Sequence, residues 1–194
     1  MLEPRLDSKL GPTLETERLW LRPPCAEDFD AWATMVADPE ATRFLGGAQP
    51  RPLAWRNMGM FAGAWIVRGF SNFSIIEKAT GRWIGRAGPW RPEGWPGTEI
   101  AWSLDRSGWG KGYATEAAAR CIDWAFDALG WDEVVHTIDP ANTASIAVAL
   151  RLGSRRRGPT RLPAPLEAMA VDLYGQDRAD WCGRAGTATN DSPG

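Results

Sequence analysis

A mixed α/β fold in one folding unit is predicted by three observations. Short alternating apolar segments interleave with helix-period stripes in the order β α α β β β α β α β(β). The turn Ala79-Thr80-Gly81-Arg82 joins two strand-like runs as a hairpin. Residues 99–139 read as strand, glycine turn, helix and strand, a crossover that should be right-handed and parallel.

Residues 1–13 are polar and proline-punctuated and read as a flexible arm. Glu17 to Arg22 alternates charge with Leu19 and Leu21 and reads as the first strand, stopped by Pro23-Pro24. Ala26 to Ala37 is an amphipathic helix with Phe29, Trp32, Ala33 and Val36 on one face. Leu53 to Val67 is a second, with Met58, Phe61, Ala62 and Trp65 at helical spacing. Phe70 to Lys78 and Trp83 to Trp90 are the hairpin strands, and Pro92, Gly94, Pro96 and Gly97 make the loop after them. Glu99 to Leu104 is the next strand. Ala114 to Leu129 is a helix closed by Gly130 at its C′ position. Glu133 to Asp139 is a β-branched strand, and Asn142 caps a short helix whose buried stripe is Ile146, Ala149 and Leu150, ended by Gly153. Ala168 to Tyr174 is the last strand, and the small polar residues from 183 onward read as a disordered tail. The folding unit is therefore 14–182.

The chain has 194 residues and a net charge of −2, so nothing marks a general polyanion binder. Its single histidine and its three well-separated cysteines, Cys25, Cys121 and Cys182, offer no metal-ligand spacing. Cys121 falls on the apolar face of the alanine-rich helix and reads as core. No signal peptide or long apolar run is visible, which leads to the expectation of a soluble cytoplasmic protein.

The most informative run is Gly108-Trp109-Gly110-Lys111-Gly112-Tyr113-Ala114-Thr115-Glu116. A glycine turn between a strand and a helix lets the backbone approach a ligand, and the first helical amides are free to bind an anion. It is not a P-loop, because no Ser or Thr follows Lys111, and no GxGxxG register fits. On spacing alone, a pyrophosphate cradle and a plain flexible turn are equally good readings.

Taken together, the chain resembles the GCN5-related N-acetyltransferases (GNAT), in the branch that includes the ribosomal-protein N-terminal acetyltransferases. The resemblance rests on the opening 15–22 (ETERLWLR), on Gly81-Arg82-Trp83-Ile84-Gly85, on the glycine turn, on Asp139-Pro140-Ala141-Asn142-Thr143-Ala144-Ser145 and on Leu150-Arg151-Leu152-Gly153. It spans roughly Leu14 to Trp181. The family's acyl-CoA signature falls on Ser107 to Gly112, with Ser107 standing where the family has Gln or Arg.

The resemblance implies a GNAT acyltransferase fold with two splayed parallel strands, 99–104 and 133–139. It implies acetyl-CoA as co-substrate and no metal. Its pyrophosphate would meet the amides of Trp109, Gly110, Lys111, Gly112, Tyr113 and Ala114. Its pantetheine arm would meet the backbone of Ser103 and Leu104 and the side chain of Asn142, which also reads as a plain helix cap. A homodimer is allowed for; nucleic acid and membrane partners are not expected.

Acetyl transfer to an amine needs a base for the amine, a donor for the oxyanion and stabilisation of the leaving thiolate. Glu99 shares a face with the small Ala101 and Ser103, which leaves room for a ligand, and is the candidate base. A solvated strand-end carboxylate is the alternative. His136 is a weaker candidate. Many relatives place a tyrosine acid on the helix after the second splayed strand, and this chain has none between Ala141 and Gly153. Ser145 resembles the serine used in this branch and could bond the leaving sulfur; it reads equally as a capping residue. The acceptor is a primary amine, on a protein N-terminus or a small molecule, in a pocket built by the first two helices and the 39–60 and 91–98 loops. A non-catalytic acyl-CoA sensor and a nucleotide-phosphate protein are the competing functions.

Overall fold

The computed structural model describes residues 9–187. One sheet of eight strands organises it, in the order β1-β2-β3-β4-β5-β6-β8-β7. The strands are β1 (Leu14–Glu15), β2 (Leu19–Arg22), β3 (Phe73–Glu77), β4 (Arg82–Trp90), β5 (Glu99–Leu104), β6 (Glu133–Ile138), β7 (Arg155–Thr160) and β8 (Val171–Asp177). The helices are α1 (Phe29–Ala37, preceded by a 3-10 turn at Ala26–Asp28), α2 (Arg51–Arg68), α3 (Tyr113–Ala128), α4 (Thr143–Arg151) and α5 (Arg178–Thr187).

The sheet has a core on each face. On one face, α3 buries Ala117, Ala118, Cys121, Ile122, Ala125 and Phe126 against Leu19, Leu21, Phe73, Ile75, Ile84 and Ile100. On the other, α1 and α2 bury Trp32, Met35, Met58 and Phe61 against Ile76 and Trp83. Period-2 alternation in the strands sends each class of side chain to its own face. Helix α2 starts with Pro52 in its first turn and stops at Gly69, whose φ of 75° is left-handed.

Every strand pair is antiparallel except β5–β6, as the crossover predicts. That parallel pair shares one registered position, Glu99 opposite Val135. Beyond it the two strands part.

Five expectations change. Leu150, expected in the buried stripe of the short helix, is 57% exposed, and Val148 is buried instead. Residues 17 and 18, assigned to the opening strand, form the β1–β2 turn, where Thr16 N donates to Leu19 O at 3.0 Å. The arm is not loose throughout: Leu10 packs on the core, while 1–8 lie outside the described residues. The last strand is shifted to Val171–Asp177 and is paired with an edge strand, β7, that no apolar alternation announces. The polar tail from Gly183 is helical as far as Thr187, as part of α5, and 188–194 lie outside the described residues. Among the described residues no helix is long and apolar enough to cross a membrane.

Candidate active site

The glycine turn sits between β5 and α3. Asp105 begins it by accepting from Ser107 N at 2.9 Å. Gly110 and Gly112 take φ of 71° and 80°, left-handed values that favour glycine. Among the described residues no amide from Gly110 to Thr115 makes a backbone hydrogen bond, and the first to do so is Glu116 N, which donates to Gly112 O at 3.1 Å. Gly112 supplies no side chain to cap the helix. These unspent N–H groups at the positive end of α3 suit a diphosphate.

The turn is braced from the β1–β2 hairpin. Glu116 accepts from the Thr16 hydroxyl at 2.6 Å, from Arg18 N at 2.9 Å and from Arg18 Nε at 2.7 Å. Burial pushes the Glu116 carboxyl up, but the Thr16 and Arg18 hydrogen bonds outweigh it and its pKa is lowered. Arg18 Nη1 also donates to Lys111 O at 2.9 Å. On the other side Tyr113 donates its hydroxyl to Glu77 at 2.7 Å, and Lys111 Nζ lies 3.8 Å from the same carboxylate. Lys111 is thus directed to Glu77.

A cavity of about 490 Å³ opens where β5 and β6 part. Phe44, Asn57 and Phe61 from the α1–α2 side, Trp90 and Trp95 from the 90–95 segment, and Leu162 to Met169 from the β7–β8 loop surround it. Of the expected walls, the second helix and the 39–60 and 91–98 loops contribute lining residues and the first helix contributes none; the β7–β8 loop is an addition, since that hairpin was not legible. Glu99, Ser103, His136, Asn142 and Ser145 all line this one cavity. Trp109 to Ala114 do not line it; they lie beyond the far end of β5.

Glu99 is 4% exposed. Its Oε1 accepts from Thr137 N and Thr137 Oγ1, both at 2.7 Å, and its Oε2 accepts from Trp95 Nε1 at 2.6 Å. Burial raises its pKa above the ordinary carboxylate value, although the Thr137 and Trp95 donors pull the other way. It is therefore not a solvated strand-end carboxylate. Asn142 Oδ1 accepts from Ser145 N at 3.1 Å, so the cap is real. The Ser145 hydroxyl makes no side-chain bond among the described residues and borders the cavity.

His136 bridges the gap between the splayed strands. Its Nδ1 meets Ile100 O at 2.7 Å and its Nε2 meets Ser154 Oγ at 3.0 Å, so Nδ1 carries the proton. Burial lowers its pKa to about 4, from 6.5. A neutral imidazole with both nitrogens engaged holds structure and leaves no nitrogen for proton transfer.

The pH consequence has a definite sign. Below pH 6.5 the unfolded chain binds a proton at this histidine that the native state refuses until about pH 4. The contribution is complete above pH 6.5 and shrinks as pH falls through that window. From pH 7 to 5 the loss at this site is about 2 kcal/mol. Urea midpoints for the wild type and His136→Gln at both pH values measure it: the wild type should lose more stability than the variant.

The alternation that sends Thr98 O to Val135 N and Ile100 O to His136 sends the main chain of Trp102 toward β6 as well, where no ladder remains. Ser103 is registered with Arg86 of β4 and turns its main chain to that strand. Leu104 O already accepts from Trp109 Nε1 at 2.9 Å. By that alternation the main-chain groups turned to the splay are those of Trp102 and the Leu104 N–H, so the expected backbone contacts of the pantetheine arm fall on Trp102 and Leu104 more readily than on Ser103. Thr137, Trp95, Trp102 and Arg86 are the site residues that sequence reasoning missed. Only the Trp102 position could have been found, by counting alternation from the splay.

Among the described residues, no cluster of three or more His, Cys, Asp or Glu could hold a metal ion. A family model described as an acetyltransferase (GNAT) domain matches residues 18–155. The chain is similar to the "Uncharacterized N-acetyltransferase p20" of Bacillus licheniformis, at 33% identity over 165 residues, covering 84% of this chain and 93% of that one. Among solved structures it is similar to an acetyltransferase from Agrobacterium tumefaciens, at TM-score 0.76 and 33% identity, covering 86% of this chain and 95% of that one. The ribosomal-protein-S5-alanine acetyltransferase of Vibrio fischeri shares the fold at TM-score 0.65 and 19% identity, covering 87% of this chain and 98% of that one.

Proposed function

Since the chain belongs to the GNAT acetyltransferase family, whose co-substrate is acetyl-CoA, we propose that it acetylates the primary amine of a small molecule by direct attack within a ternary complex. The observation that carries this reading is the single cavity that joins a buried carboxylate, Glu99, to the opening between β5 and β6. Its volume is that of a small-molecule site. The β7–β8 loop closes over it from one side and α2 walls the other, which favours a small amine over a protein N-terminus.

The roles follow from position. The amides of Gly110 to Thr115 hold the diphosphate. The Trp102 main chain faces the pantetheine arm, and an N–H there meets the oxyanion as the thioester carbonyl is attacked. The amine nitrogen forms its bond to the carbonyl carbon as the carbon–sulfur bond breaks. Glu99 takes the proton that the amine loses. Oε2, which accepts only from Trp95, has a lone pair left for it. The Ser145 hydroxyl donates to the departing thiolate, the role that the absent tyrosine plays elsewhere. Asn142 orients the start of α4 and so places Ser145.

Thiol release from acetyl-CoA, measured across a panel of small amines and one N-terminal peptide, tests the reading. Release with at least one small amine supports it. Tight acetyl-CoA binding without release across the panel points to a sensor. ATP or GTP binding more tightly than CoA points to a nucleotide-phosphate protein.

The brace on the glycine turn gives a second measurable effect. Glu116→Gln removes the charge that holds Arg18, and with it the hold on Lys111 O. The KM for acetyl-CoA should rise about fivefold, the worth of one partly exposed charged hydrogen bond, with kcat changing less than twofold. Equal effects on both constants would place Glu116 elsewhere in the mechanism.

A further inference from the structure

Arg86 is a half-buried cation that no carboxylate pairs with among the described residues. It lies in β4 opposite Ser103, lines the cavity, and stacks on the Phe61 ring with its guanidinium carbon 4.3 Å from the centroid. Nη1 donates to Asn72 Oδ1. Asn72 is itself fixed, because Nδ2 donates to Gly88 O at 3.0 Å and to Pro89 O at 3.1 Å. Nε makes no hydrogen bond among the described residues. Among the described residues no ion pair reaches Arg86, whereas Arg22, buried on the same face of the sheet, has Asp28 at 2.6 Å. Burial lowers the Arg86 pKa to about 10, against a smaller raising effect of the Glu99 charge, so the cation persists at neutral pH without an ion-pair partner.

The fold goes out of its way to put it there. Trp83 and Arg86 are three residues apart, an odd separation that strict alternation assigns to opposite faces. Yet both meet Trp32 on the α1–α2 side. The β3–β4 register shifts between Ile75 and Ile76, which pair with Gly85 and Trp83, so β4 carries an extra residue. Gly85 takes φ of 151°, and a Cβ there would lie 2.4 Å from Ser103 O. This bulge is what turns Arg86 into the cavity.

We propose that Arg86 binds the carboxylate of the acceptor, so that the substrate class is an amino acid with an aromatic or large apolar side chain. Glu99 and Arg86 face the same cavity without forming an ion pair, and each feels the other's charge. An α-amino acid fits between them, carboxylate to Arg86 and amine to Glu99. Phe61, Trp90, Trp95 and Met60 supply an apolar wall for its side chain. One arginine balances one negative charge, which favours a carboxylate over a phosphate dianion. This inference rests on the acetyl-transfer reading above.

The test compares acetyl-CoA thiol release with L-phenylalanine, L-phenylalaninamide and phenethylamine. The amino acid should exceed each of the other two in kcat/KM by about tenfold to a hundredfold, as expected when a site's buried charged donors are left unpaired by an analogue. In Arg86→Gln the ratio should fall to within about twofold, and in Arg86→Lys a preference should survive. A ratio unchanged in Arg86→Gln overturns the proposal. Should that variant not fold, the wild-type ratio decides alone, and a value near one is fatal. O-phospho-L-serine preferred over phenylalanine would replace the carboxylate by phosphate and equally overturn it. Release with the two analogues that lack a carboxylate but not with the amino acid leaves acetyl transfer standing and removes only this site. No release with any amine removes acetyl transfer itself.

Discussion

Glu99→Gln should lower kcat/KM for the amine by about a hundredfold to a thousandfold, the usual worth of a positioned general base. Acetyl-CoA affinity should hardly move, because the glycine turn lies beyond the other end of β5. The amide is nearly isosteric with the carboxylate, but it cannot take a proton. It also cannot accept from every donor. Thr137 N, Thr137 Oγ1 and Trp95 Nε1 all point at this side chain. A glutamine that keeps its oxygen on Thr137 turns its NH2 toward the Trp95 N–H, so a modest loss of stability accompanies the loss of rate.

The pH profile separates the two effects. Burial raises the Glu99 pKa, and its reactive form is the ionised one. In the wild type kcat/KM should therefore climb with pH through a value above the ordinary carboxylate range and then level off. In Glu99→Gln that acid limb should vanish. A variant with the same limb and a rate within threefold of wild type would show that Glu99 only ties the 91–98 loop to β6.

Much of this site was legible in the sequence because its determinants are local. The cradle needs a strand end, two left-handed glycines and a helix start, all within Leu104 to Tyr113. The cap needs Asn142 and a residue three places on. Glu99 could be placed on its face by alternation alone. What escaped depends on distant pairing. The three donors that hold Glu99 come from a loop residue four positions away and a strand residue 38 positions away. Arg86 faces the cavity only because a bulge shifts its parity, and Gly85 in a hairpin sequence looks like any strand glycine. β7 escaped because Arg155, Arg156 and Arg157 offer no apolar alternation. At a sheet edge charge and Pro159 are tolerated, and Arg156 is held instead by Asp172 at 2.7 Å.

Asp28→Ala should cost about 3–5 kcal/mol, the range for breaking one side of a buried ion pair. Asp28 and Arg22 are 2% and 3% exposed. Arg22 Nη1 and Nη2 donate to the two carboxylate oxygens at 2.7 and 2.6 Å. Ser74 Oγ and Cys25 N donate to Oδ2 as well, and Trp83 Nε1 donates on to Ser74 Oγ at 3.1 Å. Removing the carboxylate therefore leaves the Arg22 guanidinium with only Pro23 O, at 3.1 Å, and takes the acceptor from the Ser74 hydroxyl and the half-buried Cys25 amide. These groups come from β2, β3, β4 and the turn before α1, so one side chain fastens the α1–α2 layer to the sheet. Asp28→Asn keeps an acceptor and the shape, and should cost less. Asp30, two residues on, pairs with Arg51 on the surface, with its side chain 85% exposed. Asp30→Ala should shift the denaturant midpoint little, since exposed pairs contribute about 1 kcal/mol at most. The ordering Asp28→Ala, then Asp28→Asn, then Asp30→Ala, read from midpoints at constant m, is the measurement. Asp28→Ala equal to Asp30→Ala would mean that the pair stabilises nothing. Since the same layer walls the cavity, activity should be lost along the unfolding transition of the variant and not before it.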